Sequence, residues 1–181
     1  MGGRGTYDSE LKRRLEGVPN FQGVIAADEL PDPGTLPKDS CFIANYSDRE
    51  MNGTHWVAFL HINNKSRPPE FFDSYGFPPG GENNILETRA PFHKFMEAAA
   101  KEAGFGDQFY YNKINMQCVD SDVCGEYCVF AILRQELPQN PATGAIRPQW
   151  KPVVNPKASC RQADLLIKKK AGVRPWSGKR R

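Results

Sequence analysis

The sequence predicts an α+β fold with helices packed on a central, mainly antiparallel sheet. Three observations carry that reading. Dense apolar runs at Cys41-Phe42-Ile43-Ala44-Asn45-Tyr46, His55-Trp56-Val57-Ala58-Phe59-Leu60-His61-Ile62 and Phe71-Phe72-Asp73-Ser74-Tyr75 read as successive strands. Apolar residues then recur at helical spacing after Pro91 and again after Cys124. Finally, the order helix, strands, helix, strand, helix suits helices layered on one sheet.

Element by element, residues 6–17 read as a short helix with Ser9 or Asp8 as cap, Leu11 and Leu15 one turn apart, and Gly17 as its end. Pro31, Pro33, Gly34 and Pro37 mark residues 23–40 as loop or irregular chain. The run from His55 to Ile62 is too rich in apolar residues to leave a wet face. Gly76-Phe77-Pro78-Pro79-Gly80-Gly81 reads as a turn. Pro91 opens a helix at the favoured first position, Phe92, Phe95, Met96, Ala99 and Ala103 line one face of it, and Gly104 closes it. Residues 109–114 form a further strand, and residues 124–137 a helix that Pro138 stops. A last helix covers residues 159–171. Residues 1–137 therefore form the core, and residues 138–181 a proline-rich segment, a helix and a basic tail belonging to the same domain.

With 181 residues and 39% apolar content, the chain suits one compact domain with a real core. No apolar run approaches the ~18 residues of a membrane span, and Met1-Gly2-Gly3-Arg4 lacks a secretory leader. The expectation is an intracellular monomer that does not engage a membrane. Five cysteines without metal-type spacing to histidine read as reduced thiols, Cys118 and Cys160 among them, with no metal and no organic cofactor. The net charge of +3 conceals an asymmetry: residues 145–181 hold eleven Lys/Arg and one acid, Asp164. Such clustered charge attracts phosphate polymers through counterion release. Lys168, Lys169, Lys170, Arg174, Lys179, Arg180 and Arg181 are accordingly the candidate DNA contacts.

Three segments carry chemistry. In Gly53-Thr54-His55-Trp56, a histidine stands at the lip of a rigid strand, with Trp56 beside it to wall the ring from water and to contact substrate. An imidazole in hydrogen-bond reach holds a thiol as its nucleophilic thiolate. Asp73 sits beside two aromatics, where a carboxylate is costly to bury unpaired, and a histidine N–H on the neighbouring strand is a natural partner. In Gln117-Cys118-Val119-Asp120-Ser121-Asp122-Val123-Cys124-Gly125-Glu126-Tyr127-Cys128, turn-prone residues lead to a cysteine at a helix start. The helix dipole and free backbone N–H groups favour a thiolate there, and the same groups suit an oxyanion. Gly125 lets substrate backbone approach, and Gln117 offers a side-chain amide to the same oxyanion.

Together these segments resemble the adenovirus endopeptidase (adenain) family and, more distantly, the Ulp/SENP proteases of ubiquitin-like proteins. The resemblance rests on the order His, acid, Gln, Cys; the His55-Trp56 pair; the Phe-Asp-x-x-Gly-Phe pattern over residues 72–77; and Gln-x6-Cys-Gly-x-Tyr-Cys over residues 117–128. It covers roughly residues 6–135. Asp73 stands where adenain has Glu, and Tyr127 where it has Phe. The resemblance implies an adenain-like fold and a thiol endopeptidase with Cys124 as nucleophile, His55 as base, Asp73 orienting it and Gln117 at the oxyanion. It also implies protein substrates cut near Gly-Gly or Gly-x-Gly, stimulation by DNA or a basic peptide, and a place in the host nucleus and virion. The family's peptide-coupling cysteine has no counterpart, since Gly106 lies eleven residues before Gln117. The C-terminal Gly172-Val173 and Lys179-Arg180-Arg181 instead suggest a tail that activates in cis. The alternatives are a deconjugase for ubiquitin-like tails and a catalytically inactive, nucleic-acid-binding relative.

Overall fold

A computed structural model describes residues 7–79, 91–113, 115–135, 161, 164, 165, 167 and 168. Its sheet has five strands in sequential order: β1 (Phe21–Ile25), β2 (Ser40–Asn45), β3 (Trp56–Ile62), β4 (Glu70–Phe72) and β5 (Tyr110–Tyr111). The central pairs β2–β3 and β3–β4 run antiparallel as predicted, whereas the outer pairs β1–β2 and β4–β5 are parallel. The sheet is thus mixed at its edges. Strand β1 corrects the reading of residues 23–40 as irregular throughout. Gly23, at φ +114, allows a bulge between Phe21 and Val24 that hides the strand's alternation.

Both sheet faces are buried, which is why the strands carry no polar alternation. On one face, Cys41 and Ile43 of β2, Ala58 and Leu60 of β3 and Phe72 of β4 meet Leu11 of α1 (Asp8–Arg14), Leu15 just beyond it, and Tyr127, Cys128 and Ile132 of α3 (Cys124–Gln135). On the other, Phe42, Phe59 and Phe71 pack on Phe92, Phe95 and Met96 of α2 (Phe92–Ala103). Phe59 is the hub of that second cluster. It stacks on Phe42 at 4.5 Å and meets Phe71, Phe92 and Phe95 edge-on at 5.2–5.3 Å. Each buried phenylalanine is worth about 1.5–3 kcal/mol of transfer energy.

The helix ends differ slightly from expectation. Tyr7 is the N-cap of α1 and gives it no side-chain bond; Asp8 and Ser9 lie inside the first turn, where acids favour the dipole. Pro91 sits at the N-cap of α2 rather than at its first helical position, and Gly104 closes that helix in the left-handed region at φ +89. Residues 161, 164, 165, 167 and 168 are helical, in agreement with a last helix over 159–171. The expected turn at Gly80 and Gly81, the stop at Pro138 and the proline-rich segment lie outside the described residues. No described helix is long and apolar enough to cross a membrane.

Candidate active site

The loop from β2 to β3 delivers His55, and Asn45 shapes that loop. Its Oδ1 accepts the backbone N–H groups of Ser47, at 2.9 Å, and Thr54, at 3.1 Å, drawing both ends of the loop together. A Cβ at Gly53 would come within 2.8 Å of Asn45 Nδ2, so the glycine gives the loop room to close. Tyr46 N then donates to His55 O at 3.0 Å, which ties the histidine backbone to the end of β2.

Asp73 follows the last residue of β4 and is completely buried. His55 Nε2 lies 2.9 Å from Asp73 Oδ1, which also accepts Tyr75 N–H at 2.7 Å. The backbone of Asp73 is clamped by Asn112: Asp73 N donates to Asn112 Oδ1 at 2.9 Å, and Asn112 Nδ2 donates to Asp73 O at 2.6 Å. The imidazole stacks against Tyr46 and Tyr75, with centroids 5.6 and 4.9 Å away.

Cys124 is the first residue of α3 and lines the same cleft as His55, close enough for its side chain to act on the ring. Burial pulls the imidazole toward its neutral form, yet the hydrogen bonds to Asp73 and Cys124, together with their charges, outweigh it and lift the His55 pKa to about 9. Cys128, one turn along the same helix, is fully buried, and burial followed by the Cys124 charge pushes its thiol well above the ordinary range. The two cysteines are thereby distinguished. One faces a cation-forming ring at a cleft, and the other is inert packing.

A cleft of about 530 Å³ opens over this group, lined among others by Ala26, Asn45, His55, Trp56, Tyr75, Ser121 and Cys124. Trp56 is among the lining residues. Gly125 is buried in the first turn of α3 and is not among the lining residues. Gln117 is buried too, its amide held by two serines: Ser74 Oγ donates to Oε1 at 2.6 Å, and Nε2 donates to Ser121 O at 2.8 Å. Nε2 keeps a second N–H beyond the one given to Ser121.

Reading the sequence missed Asn45, Tyr46, Tyr75 and Asn112. Only Tyr75 carried a local signal, since Asp-x-Tyr before a glycine is Asx-turn chemistry, which its N–H bond to Asp73 realises. The expectation that Cys118 is a free thiol is corrected: Cys118 is joined in a disulfide, whereas Cys41, Cys124 and Cys128 are free. Sequence spacing alone does not reveal disulfide connectivity. Among the candidate DNA contacts, Lys168 is exposed and lies 3.7 Å from Asp122. Lys169, Lys170, Arg174, Lys179, Arg180 and Arg181 lie outside the described residues. The other two histidines also have acidic partners, Asp39 at 2.9 Å for His61 and Glu97 at 3.1 Å for His93, but stand apart from the cleft lining.

Residues 28–157 match the family model for adenovirus endoprotease, a span that holds every member of the constellation around Cys124. The chain belongs to the adenovirus endoprotease family. It is also 30% identical over 132 residues to a protease of bovine adenovirus 4, covering 70% of this chain and 63% of that relative. The chain thus spans less than two thirds of the relative's length. Within the adenovirus endoprotease family, the acid beside the histidine is here the short Asp73. Its backbone is held by the Asn112 side chain while its carboxylate reaches the imidazole.

Proposed function

We propose that this chain is a cysteine endopeptidase of viral maturation type. The observation that carries the reading is the buried His55 ring, hydrogen-bonded to Asp73 and sharing the cleft lining with Cys124. A free thiol ionises at about 8.5, so an adjacent imidazolium is what supplies thiolate at neutral pH. Cys124 Sγ attacks the scissile carbonyl, and the tetrahedral intermediate expels the amine as His55 gives it a proton. Water, deprotonated by His55, then attacks the thioester and regenerates the thiol. Asp73 keeps the ring oriented throughout. The backbone N–H of Cys124, at the start of α3, and the Gln117 amide serve the oxyanion.

Family membership supports protein substrates. The finer parts of the proposal are cleavage of precursors near Gly-Gly or Gly-x-Gly, stimulation by DNA through the basic C-terminal residues, action as a monomer, and work in the infected cell's nucleus and in the virion. The terminal Gly172-Val173 and Lys179-Arg180-Arg181 fit a tail acting as its own activating peptide. The test compares wild type, Cys124→Ala and His55→Ala on a panel of Gly-Gly peptides, with and without DNA, alongside a chain truncated after Ala171. Hydrolysis by wild type alone supports the reading, and hydrolysis that survives Cys124→Ala sinks it. Activity of the truncated chain equal to wild type, with and without DNA, removes the tail.

A further inference from the structure

Described residues of the C-terminal helix touch the segment that leads into Cys124 at three points. Cys118 N donates to Asp164 Oδ2 at 3.4 Å, Arg161 lies 3.5 Å from Asp120, and Lys168 lies 3.7 Å from Asp122. Ile167, three residues after Asp164, is buried in the core cluster that also holds Val123 and Tyr127. These contacts recur three to four residues apart, so one helix face is laid on the segment. The disulfide at Cys118 fixes the same segment covalently.

Asp164 differs from the two exposed ion pairs, because its carboxylate is buried. Its Oδ1 lies 3.1 Å from the Tyr127 hydroxyl, which also lies 2.8 Å from Met116 O. The hydroxyl has one proton for two acceptors, and it links the residue before Gln117 to the helix that carries Cys124. From Cys118 the connection returns to Gln117. Ser121 N and Oγ both donate to Cys118 O, at 3.1 and 3.0 Å, and Ser121 O accepts Gln117 Nε2. Ser121 also lines the cleft.

We propose that Asp164 is a positioning residue, acting through Tyr127 and the Cys118 backbone to hold the Gln117 amide and the Ser121 wall of the cleft in place. The inference rests on the protease reading. A loop held this way affects stabilisation of the oxyanion rather than ionisation of the thiol, so the two are separable.

The experiment measures kcat, KM and the rate of Cys124 alkylation for Asp164→Asn, Gln117→Ala and the double variant, all as full-length chains. Asp164→Asn is expected to lower kcat about tenfold, with KM and alkylation within about twofold of wild type. In the Gln117→Ala background the same change is expected to lower kcat by less than about twofold, because the group it positions is gone. The proposal is overturned if kcat falls less than about threefold, or if the fall persists undiminished without Gln117. Should Asp164→Asn not fold, Tyr127→Phe carries the test, with an unchanged kcat overturning the proposal. A wild type that hydrolyses no peptide overturns the protease reading itself, and this inference falls with it.

Discussion

His55 Nε2 and Asp73 Oδ1 stand 2.9 Å apart, and neither side chain is more than 3% exposed. Water therefore does not compete for the contact, and the carboxylate acts on the ring at low local dielectric. Asp73→Asn is nearly isosteric and removes the charge. It is expected to lower kcat/KM by about 10²–10⁴-fold while leaving the fold intact, as loss of an orienting carboxylate does in other triads. Steady-state kinetics with circular dichroism checks both halves.

The raised His55 pKa sets a pH dependence. Kinetically, kcat/KM is expected to fall on the alkaline side near pH 9, where the imidazolium is lost. For stability, the folded value lies above the ordinary 6.5, so the stabilising contribution is complete below about pH 6.5 and disappears as pH rises through about 9. In Asp73→Asn the alkaline limb should move to lower pH. Rate profiles and thermal unfolding between pH 6 and 10 read the two effects independently.

Much of this arrangement was legible in the sequence. His55, Asp73, Gln117 and Cys124 were singled out by their order and spacing, which resemble the adenovirus endopeptidase pattern, and the structure brings His55 and Asp73 within 2.9 Å. The three antiparallel central strands were visible because their residues are apolar on both faces. What stayed hidden depended on distant partners. Asn112 is 39 residues from Asp73, and nothing about an asparagine after two tyrosines marks it as a clamp. Strand β1 was obscured by Gly23 and its bulge, and nothing in the spacing of Cys118 marks it as disulfide-bonded.

Asn112→Ala tests the clamp. It removes two hydrogen bonds to the Asp73 backbone, both buried, and leaves a backbone N–H and C=O without these partners. The expected loss is about 1–3 kcal/mol of stability, with kcat/KM falling further than that destabilisation alone accounts for. Chemical denaturation and kinetics at a temperature where the variant is fully folded distinguish the two contributions.

Gly53→Ala tests the loop that presents His55. The added methyl meets Asn45 Nδ2 at 2.8 Å, and Asn45 cannot retreat without weakening its bonds to Ser47 and Thr54. A cost of about 1–3 kcal/mol is expected, along with reduced activity. Asn45→Ala in the Gly53→Ala background should relieve the clash but not restore activity, because the loop then lacks its tether.

The central claim is that Cys124, and not Cys128 one turn further on, is the nucleophile activated by His55. The most direct measurement is labelling by a small thiol probe at pH 7, with mass-spectrometric assignment of the modified residue, in wild type, Cys124→Ala, Cys128→Ala and His55→Ala. The account predicts rapid modification at Cys124 that persists in Cys128→Ala, vanishes in Cys124→Ala and slows markedly in His55→Ala. Equal labelling rates at Cys124 with and without His55, or reaction centred on Cys128, would contradict it.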